Sequence, residues 1–553
     1  MTTQPIATQA KVSTARASWL PMIIIMLAQM QMAFNVNALP VSVGAIADQF
    51  DAPATAVGTA LVIYSLFVAA FVLVGSKLGK LVGARLVFQV TVLAHGLAMG
   101  LMAISSDVST MNNAQAIAGL AAAALVPTLV VLIAGNYQGK QQEQALGLLA
   151  GTPAISGALA FFIAGYLATA ISWRVSFALL AVLSAIIFLL SFRLASIPRG
   201  QGVKIDLVGA ALAAIAIMLI SIGFNNLNAW GVVLANSSAP FSLFGLSPAP
   251  FMVVAGLVFG QGFLAWSRYR HNKGRAPLLS LEVFDSQYER AALFVLLVIG
   301  GLGPAVNFLI PLYIQIVQGR TSLFTAVAVV PYTLAIAASA IFIVRLYDRL
   351  SPRIIGAGGL ITVSIGLTIL AFTIRNEWGT PVVILSLIIV GLGEGSLLTL
   401  VFNVLVAASP PKLAGDVGAM RGVANNLSTA LGTAFASLAA ISLLTLFVTS
   451  ALATNPIIPP SLQRQVNLDN INFVSNEQLK GSLSATPATP EQVDAAVLIN
   501  TAARLRALKA TFLILAVIAL LAVFPALRLP NTTRAASRRD APEMPAQVGE
   551  LAT

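Results

Sequence analysis

Long apolar runs follow one another along almost the whole chain, separated by short stretches that carry Lys, Arg, Pro and Gly. A helix needs about 20 apolar residues to cross a hydrocarbon core roughly 30 Å thick. The pattern therefore predicts fourteen membrane-spanning helices, at about 19–43, 54–75, 86–105, 111–135, 143–167, 173–195, 206–225, 249–267, 289–315, 322–344, 354–374, 381–406, 422–449 and 507–528. The first run has amides deep inside it and no clear cleavage site, so we expect a retained helix rather than a signal peptide.

The basic residues predict the orientation of these spans. If the spans alternate in direction, 23 of the 31 Lys and Arg residues fall on the side that holds both termini, and 8 fall on the other side. Loops rich in Lys and Arg remain in the cytoplasm. We therefore expect a multi-pass protein of the cytoplasmic membrane with both termini inside.

The composition narrows the functional classes. Hydrophobic residues make up 58% of the chain and charged residues 9%, whereas a soluble domain carries roughly 25% charged residues. The net charge of +12 lies in short loops, so we expect membrane topology and no nucleic-acid partner. With no cysteine and two histidines, no metal site or other cofactor is expected. The chain also lacks a phosphate-binding loop and a catalytic constellation, so neither ATP-driven transport nor enzymatic activity is expected.

Several short motifs appear in a fixed order along the chain. They are Asn37–Pro40 (NALP), Ser172–Phe177 (SWRVSF), Asp206 with Gly209, Trp230–Gly231, Pro277–Phe284 (PLLSLEVF), and Pro311–Gln315 (PLYIQ) with Gly319 and Pro331. In this series the chain resembles the major facilitator superfamily, specifically its fourteen-span drug:proton antiporter branch. The resemblance implies an all-α membrane protein with two six-helix bundles around a central cavity, two inserted helices, and transport by alternating access.

The same resemblance implies a division of the chain. The N-terminal bundle would occupy 1–200, the inserted helices with a cytoplasmic linker 201–285, and the C-terminal bundle 286–528. A monomer is expected by analogy with the fold. The external stretch 450–505, rich in Pro, Asn, Ser and Thr, is either a flexible loop or a folded lid over the outer mouth. The tail at 529–553 is expected to be disordered.

Two inner loops are expected, from the resemblance, to carry the gating groups. These are Gly75, Lys80, Gly83 and Arg85 in the first half, and Asp348, Arg349 and Arg353 in the second half. The acid that the family usually has in the first loop is replaced by Gly79, while the second loop keeps its acid. The glycines that allow close helix packing remain.

Other usual charges of the family are also absent. Gln31 stands where the first span often carries Asp, and Gln115 where the fourth span usually carries Arg. In the fifth span, the Gly-Pro and Gly-Gly pairs of the antiporter motif align with Ala160–Phe161 and Ala164–Gly165. The amides of Gln31 and Gln115 both donate and accept hydrogen bonds, so they suit neutral or zwitterionic groups of a substrate better than a fixed cation.

One carboxyl group lies deep within a span. Glu394 is near the middle of the twelfth span, between Gly393 and Gly395. A carboxylate at that depth costs several kcal/mol unless it is neutralised, paired or hydrated. Glu394 is therefore the predicted proton carrier or counter-charge for the substrate. The alternative is a permanently protonated side chain that donates one structural hydrogen bond.

Polar and aromatic residues within the core spans form the predicted substrate cavity. They are Gln31, Phe34, Asn35, Gln115, Asn307, Asn403 and Asn426. The alternative for each amide is a hydrogen bond that joins two helices. His95 is expected to be a neutral buried histidine, with a proton relay as the other reading.

These features predict proton-coupled export of small amphipathic organic molecules, with protons and membrane lipids as the other partners. An uncoupled facilitator or a lipid or fatty-acid translocator is an alternative that the lost charges favour. A membrane scaffold or sensor that transports nothing is a further alternative. Retention of Glu394 and of Asp348, Arg349 and Arg353 argues against the scaffold.

Overall fold

The computed structural model is helical, and it describes residues 18–196, 205–275, 277–279, 286–346, 349–377, 381–408, 414–458, 473–484 and 486–531. Each predicted span overlaps one long helix of the structure. By length and composition, thirteen helices in this part of the chain suit a membrane. The helix of the fifth span, Gly139–Ala170, is long enough to cross a membrane, and its fully described part, Ile155–Ala170, is apolar.

The N-terminal bundle contains six long helices and one short one. They are α1 (Leu20–Val41), the short α2 (Val43–Phe50), α3 (Thr55–Leu78), α4 (Ala84–Ile104), α5 (Val108–Asn136), α6 (Gly139–Ala170) and α7 (Trp173–Leu190). Helices α3 and α5 cross so closely that a Cβ at Gly75 would lie 2.2 Å from the carbonyl oxygen of Ala123. The glycine at the inner end of α3 is therefore required by packing, as the sequence suggested.

The C-terminal bundle repeats this arrangement. It contains α10 (Gln287–Pro311), α11 (Ser322–Leu346), α12 (Pro352–Thr373), α13 (Pro381–Ala408), α14 (Ala414–Thr454), α16 (Pro490–Leu521) and the short α17 (Val523–Ala526). Helix α10 continues into a π-helix, Leu312–Val317. We call the face that holds Leu20 and Ala526 the inner face, in line with the predicted orientation, and the opposite face the outer face.

The two inserted helices are α8 (Leu207–Trp230) and α9 (Pro248–Asn272), and they pack against each other. Helix α8 also packs on both bundles at once. Its Ala214 and Ile217 form a hydrophobic cluster with residues of α3 such as Leu66, and Leu427 of α14 lies against this cluster. The inserted pair thus covers the seam between α3 and α14.

The inner end of the inserted pair is fixed by a buried carboxylate. Asp206 accepts a hydrogen bond from the indole N–H of Trp266 at 3.0 Å and lies 3.5 Å from the guanidinium of Arg270. Its side chain also caps α8 by accepting the N–H of Gly209 at 3.1 Å. One acid therefore joins the start of α8 to the end of α9.

The outer stretch 450–505 contains helices in its described part. Helix α14 extends to Thr454, α15 spans Asn476–Ser484, and α16 begins at Pro490, well before the predicted span at 507. Residues 459–472 lie outside the described residues, as does the tail beyond 531 that was expected to be disordered.

Candidate functional site

Glu394 lies buried between helices of the C-terminal bundle. Its side chain is 7% exposed, and its Oε2 accepts a hydrogen bond from the hydroxyl of Tyr332 on α11 at 2.5 Å. Tyr332 is itself buried. The hydroxyl is a donor that stabilises the ionised carboxylate when no proton is bound.

A glycine on α10 makes room for this carboxyl group. A Cβ built at Gly303 would lie 2.0 Å from Oε1 of Glu394, which is far inside contact distance. Three helices therefore meet at Glu394: α10 through Gly303, α11 through Tyr332, and α13, which carries the acid. In the described part of the chain, no Lys or Arg forms an ion pair with Glu394. A bound proton is thus the means by which this acid can become neutral.

Two of the predicted cavity amides join helices α1 and α5 of the N-terminal bundle. Asn35 on α1 donates to Oε1 of Gln115 on α5 at 2.9 Å, and Gln115 donates back to Oδ1 of Asn35 at 3.1 Å. Both side chains are fully buried. In this conformation the pair satisfies itself, and a role in substrate binding, which would require the pair to open, stays a prediction.

Gln31 makes one hydrogen bond and has one free group. Its Oε1 accepts the hydroxyl of Ser184 on α7 at 2.7 Å, while its Nε2 is buried without a partner among the described residues. The neighbouring Phe34 is buried in the core. Both ring nitrogens of His95 are also buried without a partner in the described part of the protein. Buried polar atoms of this kind usually find a partner in water or a ligand.

The other predicted cavity residues lie on the C-terminal bundle. Asn307 is half-buried on α10, one turn from Gly303 and on the same side of the helix. Asn426 on α14 donates to the carbonyl of Gly422 in its own helix at 2.9 Å. The side chain of Asn403 lies outside the described residues. The predicted residues thus belong to both bundles, as a central cavity would require.

The predicted gating residues keep to their own halves where they are described. Arg85 donates to the carbonyl of Phe192 at 2.8 Å and lies over that ring. Gly83 has a φ of +114°, which favours glycine. Arg353 donates to the carbonyl of Leu529 at 3.4 Å, so it ties the start of α12 to the end of the last helix. Arg349 is exposed, and Asp348 and the side chain of Lys80 lie outside the described residues.

The outer ends of the two bundles are joined by Gln315, which lies in the π-helix that follows α10. Its Oε1 accepts the N–H of Gly44 at 2.7 Å, and its Nε2 donates to the carbonyl of Val41 at 2.8 Å. These backbone groups flank the break between α1 and α2, where helix ends leave such groups free. Close by, the N–H of Leu323 on α11 donates to the hydroxyl of Thr169 on α6 at 3.0 Å.

The outer stretch 450–505, called the external segment from here on, adds another link between the bundles. Arg504 of α16 is buried, and its guanidinium donates to the carbonyls of Ile316 and Val474 and to Oδ1 of Asn476, at 3.0, 2.6 and 2.7 Å. These contacts hold the start of α15 on the C-terminal bundle. From α15, Gln478 donates to Asp48 of the N-terminal bundle at 3.3 Å.

Burial raises the pKa of the Asp48 carboxyl, and the nearby charge of Glu477 raises it further. A cavity of about 570 Å³ lies between the end of α14 and the start of α16. It is lined by Phe447, Leu498, Glu491, Asp494 and Arg506, among others, and contains none of the predicted site residues.

Two of the residues at these sites were not identified from the sequence. Tyr332 had no special signal beyond being a hydroxyl group inside a span, next to Pro331. Gln315 belongs to a recognised motif, but its partners are about 270 residues away in the chain. Only the fold brings these residues to Glu394 and to the joint between α1 and α2.

Two bundles of membrane-length helices, one of which holds a buried acid with no ion pair among the described residues, are typical of a membrane transporter. A model of the Major Facilitator Superfamily matches residues 25–433. The chain belongs to this superfamily, and the predicted family and fold class are confirmed.

The chain is similar to curated resistance and efflux proteins. It is 26% identical over 429 residues to the puromycin resistance protein pur8 of Streptomyces alboniger, covering 75% of this chain and 80% of that protein. It is 23% identical over 432 residues to the multidrug efflux pump LfrA of Mycolicibacterium smegmatis, covering 77% of this chain and 82% of that protein.

A solved structure supports the fold alone. A bacterial homologue of the human lysosomal transporter Spinster, in an inward-facing and occupied conformation, matches with a TM-score of 0.59 at 14% identity. The match covers 92% of this chain and 96% of that chain.

Proposed function

We propose that the protein is a secondary transporter of the cytoplasmic membrane that exports amphipathic organic molecules in exchange for protons. Membership of a transporter superfamily and similarity to drug-efflux proteins support the class of function. Termini on the cytoplasmic side, as the basic residues predict, would place the outer face outside the cell.

The contact between Glu394 and Tyr332 carries the proton-coupling proposal. The acid is buried, lacks an ion pair among the described residues, and has a hydroxyl donor at 2.5 Å. The donor stabilises the carboxylate, and a bound proton neutralises the acid. Both states are therefore accessible, which a carrier needs and a permanently neutral structural side chain does not.

Alternating access then couples the proton to the substrate. Protonation changes the charge at the point where α10, α11 and α13 meet. The same helix α10 ends in the π-helix that closes the outer side through Gln315. Loading of Glu394 from outside and its release inside would thus bias the same helix that holds the outer closure.

The test uses purified protein in vesicles with an imposed pH gradient. Uptake or release of a panel of dyes, drugs and lipophilic acids is followed for wild type, Glu394→Gln, and the exposed outer-loop control Glu377→Gln. We expect gradient-driven transport by wild type and by Glu377→Gln, and none by Glu394→Gln or after addition of a protonophore.

Two results would contradict parts of this proposal separately. Transport that persists with the gradient collapsed makes the protein an uncoupled facilitator. Gradient-driven transport by Glu394→Gln at the wild-type rate would keep proton coupling but remove Glu394 as the carrier.

A further inference from the structure

The outer connection between the inserted helices is unusually apolar. No Asp, Glu, Lys, Arg or His occurs between Asp206 and Arg268, a stretch that includes α8, the connection 231–247 and α9 as far as Ser267. At 1.5 Å per residue, the 24 residues of α8 slightly exceed the hydrocarbon thickness. Trp230, the last residue of α8, therefore lies in the interfacial region of the membrane, where tryptophan is enriched, and the connection begins directly after it.

The apolar side chains of this connection point outward. Exposed residues are Val232, Val233, Leu234, Phe241, Leu243 and Phe244, and the side chain of Phe244 is fully exposed. Single exposed apolar residues are ordinary, but a group of them on one uncharged loop marks an interaction surface.

The backbone of the connection is held in place by its own hydrogen bonds. The N–H of Asn236 donates to Trp230 at 3.0 Å, and that of Ser247 donates to Val233 at 2.9 Å. Leu243 and Leu246 exchange backbone hydrogen bonds across a tight turn. The apolar side chains are thus presented by a structured loop.

The tip of this turn has a costly arrangement. Both central residues have positive φ, +54° at Phe244 and +81° at Gly245. Such turns favour Asn, Asp or Gly at both positions, and a bulky residue with positive φ is an outlier. The structure therefore places a fully exposed aromatic ring at the tip of the turn, where Asn would fit the backbone better. Strain of this kind points to a function outside the turn.

We propose that the connection 231–247 is a membrane-docking surface whose side chains, led by Phe244, insert into the outer leaflet around the protein. The leaflet is the occupant because the loop continues directly from two membrane-spanning helices and carries no charge. The external segment on the same face differs, since its exposed residues include Glu477, Lys480 and Glu491. Docking would fix the outer end of the inserted helices α8 and α9, as Asp206 fixes their inner end.

The chain has no cysteine, so single labels are easy to place. The variants Phe244→Cys and Val233→Cys are each labelled with an environment-sensitive fluorophore. The labelled proteins are reconstituted in vesicles of phosphatidylethanolamine and phosphatidylglycerol. Aqueous iodide and lipids with a nitroxide near the head group serve as quenchers. Val258→Cys, exposed in the middle of α9, is the lipid control, and Ser482→Cys, exposed on the external segment, is the water control.

We expect labels at 244 and 233 to be quenched by the nitroxide lipid, and to be several-fold less sensitive to iodide than the label at 482. Adding Phe244→Asn to Val233→Cys should reduce lipid quenching several-fold while leaving the protein folded, because Asn suits the turn. Iodide quenching as strong as at 482 would overturn the proposal. Protection from both quenchers would overturn it too, since a second copy of the chain would then cover the loop. Neither readout depends on transport.

Discussion

Gln315 of the C-terminal bundle accepts the backbone N–H of Gly44 of the N-terminal bundle at 2.7 Å, and the same side chain donates to Val41. One amide therefore reaches across the outer interface to a break between two helices. Opening of the outer side must separate these groups, so their hydrogen bonds stabilise the closed conformation.

We expect Gln315→Leu to favour the outward-open state. Two hydrogen bonds of about 1 kcal/mol each are lost, which corresponds to a shift of roughly tenfold or more in the ratio of states. Spin labels at Asp51→Cys and Glu377→Cys, exposed on the two outer rims, report the separation of the bundles. Gln318→Leu is the control, because Gln318 bonds Tyr313 and Arg375 within its own bundle. Unchanged distances in Gln315→Leu would show that the closure has another origin.

Tyr332→Phe should slow proton-coupled transport without abolishing it. The carboxylate form of Glu394 loses its donor, and hydrogen bonds to charged groups contribute about 1.5–3 kcal/mol. The initial rate of gradient-driven transport should fall by about tenfold or more, while Glu394→Gln removes it. Tyr288→Phe, at the exposed inner end of α10, is the control. A wild-type rate and pH profile in Tyr332→Phe would mean that the hydroxyl does not assist proton transfer.

Gly303→Ala should destabilise the protein or displace Glu394. The added Cβ would lie 2.0 Å from the carboxyl oxygen, and overpacking of this kind typically costs 1–3 kcal/mol. Thermal unfolding in detergent measures the effect. Gly358→Ala on α12 is the matched control, since a Cβ there meets nothing within 4 Å. Equal stability of the two variants would show that the contact at Gly303 relaxes freely.

Arg504→Met should release the external segment. Its guanidinium is buried and joins Ile316, Val474 and Asn476 through three hydrogen bonds. We expect faster proteolysis and hydrogen exchange over 473–484, because α15 loses its attachment. Arg506→Met, an exposed neighbour two positions along the helix, should leave both rates unchanged. Faster exchange in both variants alike would instead indicate general loosening of α16.

Acid outside should strengthen the contact between α15 and the N-terminal bundle. Burial, and then the charge of Glu477, raises the pKa of Asp48 in the docked state. The docked state thus binds a proton more tightly than the released state, and docking is favoured as pH falls through the raised pKa. Crosslinking through Asp48→Cys and Gln478→Cys cannot test this pH dependence, because the two substitutions remove the carboxyl group and the amide that form the contact.

The suitable measurement is the distance between spin labels at Asp51→Cys and Ser482→Cys across a pH series. Glu477→Gln removes part of the repulsion, so the pH dependence should move to lower pH. Glu491→Gln, farther along the same segment, serves as the control. A distance independent of pH would contradict the prediction.

The length of apolar runs was enough to predict the membrane-length helices, because a membrane imposes that length on any spanning helix. The length of the apolar run did not predict where α16 begins, because the part of the helix before 507 carries Glu491, Asp494, Arg504 and Arg506. That part is helical because Thr489 and Gln492 form a capping box and because Ile499 packs near Leu452. Neither cause changes the hydropathy of the sequence.

Glu394 was identifiable because a charge inside a span is rare and costly. The amides were harder to interpret, since the same residue type can bind a substrate or join helices. The reciprocal bonds between Asn35 and Gln115 depend on which faces of α1 and α5 meet. Periodicity within one helix does not contain that information, and neither does it reveal the partner of Gln315.

The position of α8 has a consequence for molecules dissolved in the bilayer. Because α8 touches both α3 and α14, a lipophilic compound that diffuses sideways toward that flank meets the inserted pair before it meets the seam. Passage there would require the pair to be pushed aside, against the anchor at Asp206. On the opposite flank, α6 packs against α11, and no helix in the described part of the chain covers the seam between them. The two seams between the bundles therefore differ in how easily a molecule in the bilayer can reach them.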